Sequence, residues 1–365
     1  MANRIPISLS ILAVSLGLAY APIPGFSQTV VVVSGSELQE PLKILEARFE
    51  QQNPNTQLQL EFQASQDIVN NYIDNRNDFD PTVLIPANGQ LLQELEQRWQ
   101  AQESAPPFHN SPQPVAKTMI VAIAWPERAR ALFPNGQFQW QRLETAMAQG
   151  SWAALGGSPD WGSFDFVTTD PTRSNSGQLT MSLWSQAKTP GGNLTPADFT
   201  QSSVQVMFSL VKRSVYQPPR STDILLQEFI ARGPNDADVA TVYESIALHR
   251  WEQSSLSQAE PYQILYLDPT IETVFTAAVV RRNVDRAEAK VAQQFVDFLL
   301  APEQQAVFVQ HGFRPGNEQV NPSEISNSPW SKNIPGVMAQ PTVQVSVPPD
   351  RPLVEEVIRQ WQRAN

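Results

Sequence analysis

The chain has 365 residues, of which 41% are hydrophobic, and its formal net charge is −11. This length and composition are typical of a globular protein with one to three domains and a sizeable core. The negative charge argues against a nucleic-acid partner and against an anionic membrane surface, because both require basic patches. The absence of cysteine excludes disulfides, thiolate catalysis and cysteine-based zinc sites.

The N-terminus has the pattern of a secretory signal peptide. Arg4 precedes an apolar run at 7–21, and small residues that suit signal peptidase follow. The run is short for a membrane span, which favours cleavage over an uncleaved anchor, the alternative reading. We therefore predict a signal peptide at 1–27 and a mature periplasmic or extracellular protein that begins near Gln28.

Three strand–helix units are predicted next. The continuous apolar run at 29–33 indicates a buried parallel strand, and Leu38, Leu42, Leu45 and Phe49 recur at helical spacing after it. Further strands are predicted at 57–62 and 82–85, and further helices at 66–74 and 88–99. This order is typical of a parallel sheet with helices on both faces.

A second α/β unit follows a proline-rich linker at 101–114. Its predicted strands are at 115–125, 164–167, 238–244 and 262–269, and its predicted helices are at 126–132, 139–149, 177–184, 196–216, 221–232 and 244–254. The chain then returns to the first unit through an apolar run at 273–280 and helices at 285–300 and 302–310.

The second unit thus interrupts the first. The first unit is predicted to comprise residues 28–114 and 265–320, and the second to comprise 115–264. Residues 321–365 form a C-terminal extension with a short helix near its end, and we expect this extension to pack on the first unit.

The stretch 164–177 (FDFVTTDPTRSNSG) predicts a buried strand, a hydroxyl-rich loop and a helix start. Free backbone N–H groups and the positive end of the helix dipole would make this loop an anion cradle. Thr172, Ser174, Asn175 and Ser176 can add side-chain donors, although simple helix capping explains the same residues.

Similar groups follow three other predicted strands. They are Ser34 with Ser36, Ser65, and the pair Tyr243-Glu244. Because ligands of open α/β sheets lie outside the carboxyl ends of the strands, we expect all four positions to converge on one cleft. Glu244 would repel an oxyanion there unless Arg173 compensates its charge; alternatively, Glu244 caps the helix that it begins.

The motifs together resemble a known family. VVVVSGSELQEPLKILEARFEQQNPN (30–55), FQASQDIVNNYI (62–73), FVTTDPTRSNSGQLTM (166–181), YESIAL (243–248) and VAQQFVDFLLAPEQQAVFVQHGFRP (291–315) resemble segments of type II periplasmic solute-binding proteins, closest to the molybdate-binding-like group. The resemblance implies an α/β fold of two lobes, each a mostly parallel sheet flanked by helices, with the ligand cleft between them.

The resemblance also implies a function. We expect a monomeric exported protein that captures a small solute, above all an oxyanion or other small anion, by lobe closure and delivers it to the permease of an ABC-type importer. The implied ligand-binding residues are Ser34, Ser36, Ser65, Thr172, Arg173, Ser174, Asn175, Ser176, Tyr243 and Glu244.

An enzyme and a protein–protein interaction module are the two alternatives to solute binding. The sequence has no G-x-S-x-G elbow, no Walker loop and no H-E-x-x-H, and His109, His249 and His311 lack metal-ligand spacing. We therefore predict no enzymatic activity, no metal and no cofactor. The alternative is an envelope protein–protein interaction or assembly module, which exposed tryptophans in loops (Trp152, Trp161, Trp330) would favour.

Overall fold

The computed structural model describes residues 28–189, 191, 193–215 and 217–364. The predicted signal peptide lies outside the described residues. The strands are β1 Gln28–Gly35, β2 Thr56–Gln63, β3 Val83–Ile85, β4 Gln113–Ala124, β5 Phe166–Val167, β6 Val239–Tyr243, β7 Gln263–Tyr266, β8 Thr270–Val279, β9 Arg314–Pro315 and β10 Val345–Ser346.

The helices connect these strands. They are α1 Gln39–Gln52, α2 Ser65–Ile73, α3 Gln90–Gln100, α4 Pro126–Leu132, α5 Trp140–Gln149, α6 Asn175–Lys188, α7 Ser202–Ser214, α8 Thr222–Arg232, α9 Glu244–Ser257, α10 Arg286–Leu300, α11 Pro302–Gln310 and α12 Arg351–Arg363. Within the described residues, no helix is long and apolar enough to cross a membrane.

One mixed sheet runs through the molecule in the order β2-β1-β3-β8-β4-β6-β5. The outer pairings are parallel, between β1 and its neighbours β2 and β3 and between β5 and β6. The inner pairings are antiparallel, because β8 runs against both β3 and β4, and β4 runs against β6 and β7. The fold is thus the predicted two-lobe α/β architecture. The expectation of a mostly parallel sheet is wrong for the second lobe, because β4 runs against both β6 and β7 there and the parallel pairing of β5 with β6 is two residues long.

Strand β4 belongs to both lobes. Its residues up to Met119 pair with β8, whereas Ile120–Ala124 pair with β6. The hydrophobic cores divide near the same point, since Ala116 lies in the core of the first lobe and Met119 in that of the second. The predicted boundary at 114/115 therefore falls inside β4, and the limits of the lobes stay a prediction.

The cores define the two lobes that are named below. The first lobe surrounds the apolar side chains of 30–116 and 275–313, which include the buried strand β1 and the apolar face of α1. The second lobe surrounds those of 119–271. A periodic apolar face on each helix and buried runs in the strands account for both cores.

The C-terminal extension does not pack as predicted. Strand β10 pairs with β8, but α12 packs against α6 and α7 of the second lobe. The reason is the apolar stripe of α12, in which Val357 and Trp361 are buried in the second core. The expectation that the extension packs on the first lobe is therefore wrong for its helix.

The loop tryptophans do not form exposed anchors. Trp152 is fully buried, and Trp330 is 7% exposed. Trp161 is half-buried, with the Arg128 guanidinium carbon 3.9 Å from its ring centroid. These rings cover the core of the second lobe, so they give no support to an interaction module.

Candidate functional site

Three strand ends of the first lobe meet at one edge of its sheet. The Ser34 hydroxyl donates to the Ile85 carbonyl at 3.3 Å, and the Ser65 hydroxyl accepts from the Ala87 N–H at 3.0 Å. A Cβ atom on Gly35 would lie 3.4 Å from the Ser65 hydroxyl oxygen. The loops after β1, β2 and β3 therefore touch, as expected from parallel strands whose carboxyl ends share one edge.

The loops of the second lobe form a matching edge. The side-chain amide of Asn175, in the first turn of α6, donates to the Tyr243 hydroxyl at 2.7 Å. Tyr243 is fully buried at the end of β6. The loop before α6 and the end of β6 are thus held together by this hydrogen bond.

The serine cluster before α6 is internal. Ser176 is fully buried, and its hydroxyl oxygen lies 2.9 Å from those of Thr169 and Ser174 and 2.7 Å from that of Thr222. Four hydroxyl groups therefore satisfy one another, and a solute would not reach Ser176 without displacing them. The role of Ser174 and Ser176 as direct ligands stays a prediction.

The preceding turn is also held by its own side chains. The Thr172 backbone N–H and hydroxyl both donate to Asp170, at 2.9 Å and 2.8 Å, which closes an Asx turn. Arg173 is exposed beyond this turn. The Thr172 hydroxyl therefore takes part in the turn with Asp170, and this turn begins the loop.

Glu37 lies where the two edges face each other, and the sequence reasoning missed it. A Cβ atom on Gly35 would be 2.9 Å from a Glu37 carboxylate oxygen, so this carboxylate lies over the end of β1. Burial raises the pKa of Glu37, its own backbone N–H opposes the rise, and nearby Asp223 adds to it. Burial and the charge of Glu37 raise the pKa of Tyr243 as well. Glu37 thus interacts electrostatically with the second lobe.

Two cavities are lined by residues of both lobes. The first, of about 190 Å³, is lined by side chains from α2 and α3 of the first lobe, from α6 of the second lobe, and from α12. Its polar lining is dominated by carboxamides: Gln66, Asn70, Asn88, Gln90, Asn175 and Gln178. Only Asn175 of these was predicted, because nothing in the sequence pattern distinguishes the other carboxamides from ordinary surface residues.

The second cavity, of about 290 Å³, has an acidic and imidazole lining. Ser36 and Glu37 contribute from the first lobe, and Asp223 from the second. The rings of His249 and His311 stack there with their centroids 5.1 Å apart. Partial desolvation in the cavity, and then the neighbouring His311, lower the pKa of His249.

Glu244 lies outside both cavities. It is fully buried, and its carboxylate accepts two hydrogen bonds of 2.8 Å from Arg314. The Tyr266 hydroxyl donates to the same carboxylate. The compensating cation is therefore Arg314 rather than Arg173, so the alternative in which Arg173 balances Glu244 in a ligand site is wrong. Glu244 does lie in the first turn of α9, as the other alternative has it, but its side chain makes no capping hydrogen bond within the described residues.

Comparison with known proteins places this arrangement in a family. The model of the bacterial extracellular solute-binding protein family matches residues 30–314. Among solved structures, the sulfate-binding protein SubI of Mycobacterium tuberculosis H37Rv is 16% identical to this chain, with a TM-score of 0.57. The structural match covers 88% of this chain and 94% of the SubI chain.

Two further structures share the fold. The ferric binding protein of Campylobacter jejuni is 10% identical with a TM-score of 0.60, over 92% of this chain and 98% of its own. A periplasmic thiamin binding protein is 12% identical with a TM-score of 0.61, over 94% and 98%. No curated protein matches the sequence. The family match and the two-lobe fold agree, and the chain therefore belongs to the bacterial extracellular solute-binding proteins.

Proposed function

We propose that the protein captures a small solute in the cleft between its lobes and delivers it to the permease of an ABC-type importer. The observation that carries the proposal is that residues of both lobes line the same cavities, Gln66 with Asn175 in one and Glu37 with Asp223 in the other. A solute that bridges these residues would contact both lobes only in the closed form, so binding would shift the population toward closure.

The lining favours a solute that both donates and accepts hydrogen bonds. Carboxamides supply both donors and acceptors, whereas the ionised carboxylates of Glu37 and Glu94 supply acceptors alone. A bare oxyanion, the ligand class expected from the sequence, would have to lie close to these carboxylates. The guanidinium groups of the two linings, Arg250 and Arg351, already pair with Asp223 and Glu94. An oxyanion would therefore be repelled. A neutral or zwitterionic solute with hydroxyl, amide or amine groups fits the cleft better.

The hydrogen bonds of the serine hydroxyls within the protein also favour a solute with donor groups over an oxyanion. The hydroxyls of Ser34 and Ser176 already hydrogen-bond within the protein, at 3.3 Å and 2.7 Å, so these serines offer fewer free donors than an anion cradle of this type needs. The Ser65 hydroxyl accepts from the Ala87 N–H and keeps its own O–H as a donor. The carboxamides of the cleft and the Ser65 hydroxyl are then the groups that remain for the solute. Each hydrogen bond that they form contributes about 0.5–1.5 kcal/mol net, so burial of apolar surface has to add to several such bonds to reach the roughly 8 kcal/mol of micromolar affinity.

A thermal-shift panel on the purified full chain tests the proposal. The panel contains sulfate, molybdate and phosphate as anions, and amino acids, polyols, polyamines and thiamine as solutes with donor groups. A solute at a hundred times its Kd should stabilise the fold by about 2.7 kcal/mol and raise Tm by about 5 °C. A panel in which no solute raises Tm would contradict solute capture, and a shift with oxyanions alone would overturn the preference for donor groups.

Delivery is tested separately in cells. If the protein feeds an importer, uptake of the radiolabelled solute should fall in a strain that lacks this chain and recover when the chain is restored. Normal uptake in the deletion strain would argue against delivery while leaving binding intact.

A further inference from the structure

The helix α12 lines the cleft although it lies beyond the part of the chain that the family model matches. The match ends at residue 314, whereas α12 spans Arg351–Arg363. Arg351, Val354, Glu355 and Ile358 line the cavity of about 190 Å³ opposite the carboxamides of α2 and α3. The extension therefore supplies one wall of the interlobe cavity, with apolar and charged side chains.

This wall is fixed to the second lobe. Val357 and Trp361 are 0% and 1% exposed against its core. The Lys212 ammonium nitrogen of α7 lies 4.5 Å from the centroid of the Trp361 ring, a cation–π contact. Asp350 caps the start of the helix by accepting from the Leu353 N–H at 3.2 Å. With these anchors, α12 should move with the second lobe when the lobes separate.

Among the ion pairs recorded for the described residues, one joins α12 to the first lobe. The Arg351 guanidinium donates to the Glu94 carboxylate of α3 at 3.1 Å. Glu94 is 8% exposed and also accepts from Arg98 at 3.1 Å and from Gln66 at 3.3 Å. A carboxylate this enclosed loses more free energy on losing a partner than an exposed one does. The free-energy cost of breaking the pair therefore opposes separation of the lobes.

We propose that α12 is a latch on the solute cleft: Arg351 holds the second lobe to Glu94 of the first, and solute enters or leaves this side only when the pair opens. The role of the latch in solute exchange rests on the proposed function. The claim that the ion pair keeps the lobes together is independent of that function and can be measured without any solute.

The measurement is the distance between spin labels on the two lobes. The chain has no cysteine, so Gln97→Cys on α3 and Gln205→Cys on α7 would be the only labelling points, and both side chains are exposed. Pulsed electron resonance on the labelled full chain would give the distance distribution for the parent, for Arg351→Ala and for Glu94→Gln.

The matched control is Arg359→Ala. Arg359 lies on the same helix and pairs with Glu356, three residues earlier, so its loss leaves the contact with the first lobe intact. We expect Arg351→Ala and Glu94→Gln to lengthen and broaden the distribution, and Arg359→Ala to leave it unchanged. Parent-like distributions in both latch variants would overturn the latch.

A second readout uses the best solute of the thermal-shift panel. Arg351→Ala should raise its dissociation rate at least fivefold, and Ile358→Trp, which fills the cavity, should weaken its affinity at least tenfold. An unchanged dissociation rate would overturn the gating role. If the panel yields no solute, the proposed function fails, and the distance measurement alone decides whether the latch exists.

Discussion

The guanidinium of Arg314 holds the buried carboxylate of Glu244 through two hydrogen bonds of 2.8 Å. The same guanidinium donates to the carbonyls of Met338 and Ala339, at 2.9 Å and 2.6 Å. This pair therefore joins the start of α9, the end of the family-matched region and the C-terminal extension. The ion pair explains why an acidic residue follows strand β6, and this explanation requires no ligand.

The first prediction concerns this ion pair. Glu244→Gln keeps the shape of the side chain but leaves Arg314 buried without its counter-charge, so the free energy of unfolding should fall by about 3–5 kcal/mol in urea titrations. The control is Glu252→Gln on the same helix, where the exposed carboxylate pairs with Lys332. The control should cost at most about 1 kcal/mol. Equal losses in the two variants would refute a structural role for the pair.

The second prediction concerns the four-hydroxyl cluster. Ser176→Ala removes the hydroxyl at its centre and leaves Thr169, Ser174 and Thr222 short of a partner, which should cost about 1–3 kcal/mol of stability. Ser203→Ala, at an exposed position in α7, should change stability by less than about 0.5 kcal/mol. A Ser176→Ala variant of normal stability with weakened solute affinity would instead identify Ser176 as a direct ligand.

The third prediction is a pH dependence of lobe closure. Burial raises the pKa of Glu37 in the closed cleft, and separation of the lobes would return the carboxyl to water and lower that pKa. The closed form therefore binds more protons between the two pKa values, and raising the pH through that window should favour the open form. Below the ordinary carboxyl pKa both forms are protonated, and the dependence should vanish.

Label distances between Gln97→Cys and Gln205→Cys from about pH 4 to about pH 8 check this prediction. The distribution should lengthen with rising pH in the parent. Glu37→Gln should lose this lengthening and can only shorten with rising pH, because desolvation lowers the pKa of His249 in the same cavity. Glu303→Gln, an exposed acid at the start of α11, should behave like the parent. A lengthening with rising pH that survives in Glu37→Gln would assign the effect to another group.

The sequence predicts helices and strands well where a single hydrophobic periodicity runs through the whole segment. The helix expected at 285–300 is found at Arg286–Leu300, and the strand expected at 29–33 lies within Gln28–Gly35. What it could not predict is the change of partner within β4. The apolar residues of this strand are buried in both lobes, so nothing in their pattern marks the point where pairing passes from β8 to β6.

The candidate site was predicted less completely. The strand ends do meet, but the pattern of residues cannot tell which hydroxyls face a cleft and which bond one another, as Ser176 does. Glu37 looked like an ordinary acidic residue in a first helical turn, where such residues are favourable anyway. The position of α12 depends on contacts with helices far away in the chain, which local patterns do not encode.

The most direct test of solute capture is calorimetry with the best solute of the panel on one variant from each lobe. Ser65→Ala removes a hydroxyl of the first lobe and Asn175→Ala an amide of the second. Asn235→Ala, exposed near the opposite end of β6, is the control. Each cleft variant should weaken affinity about tenfold, equivalent to about 1.4 kcal/mol, and the control should match the parent. Parent-like affinity in both cleft variants would contradict binding between the lobes.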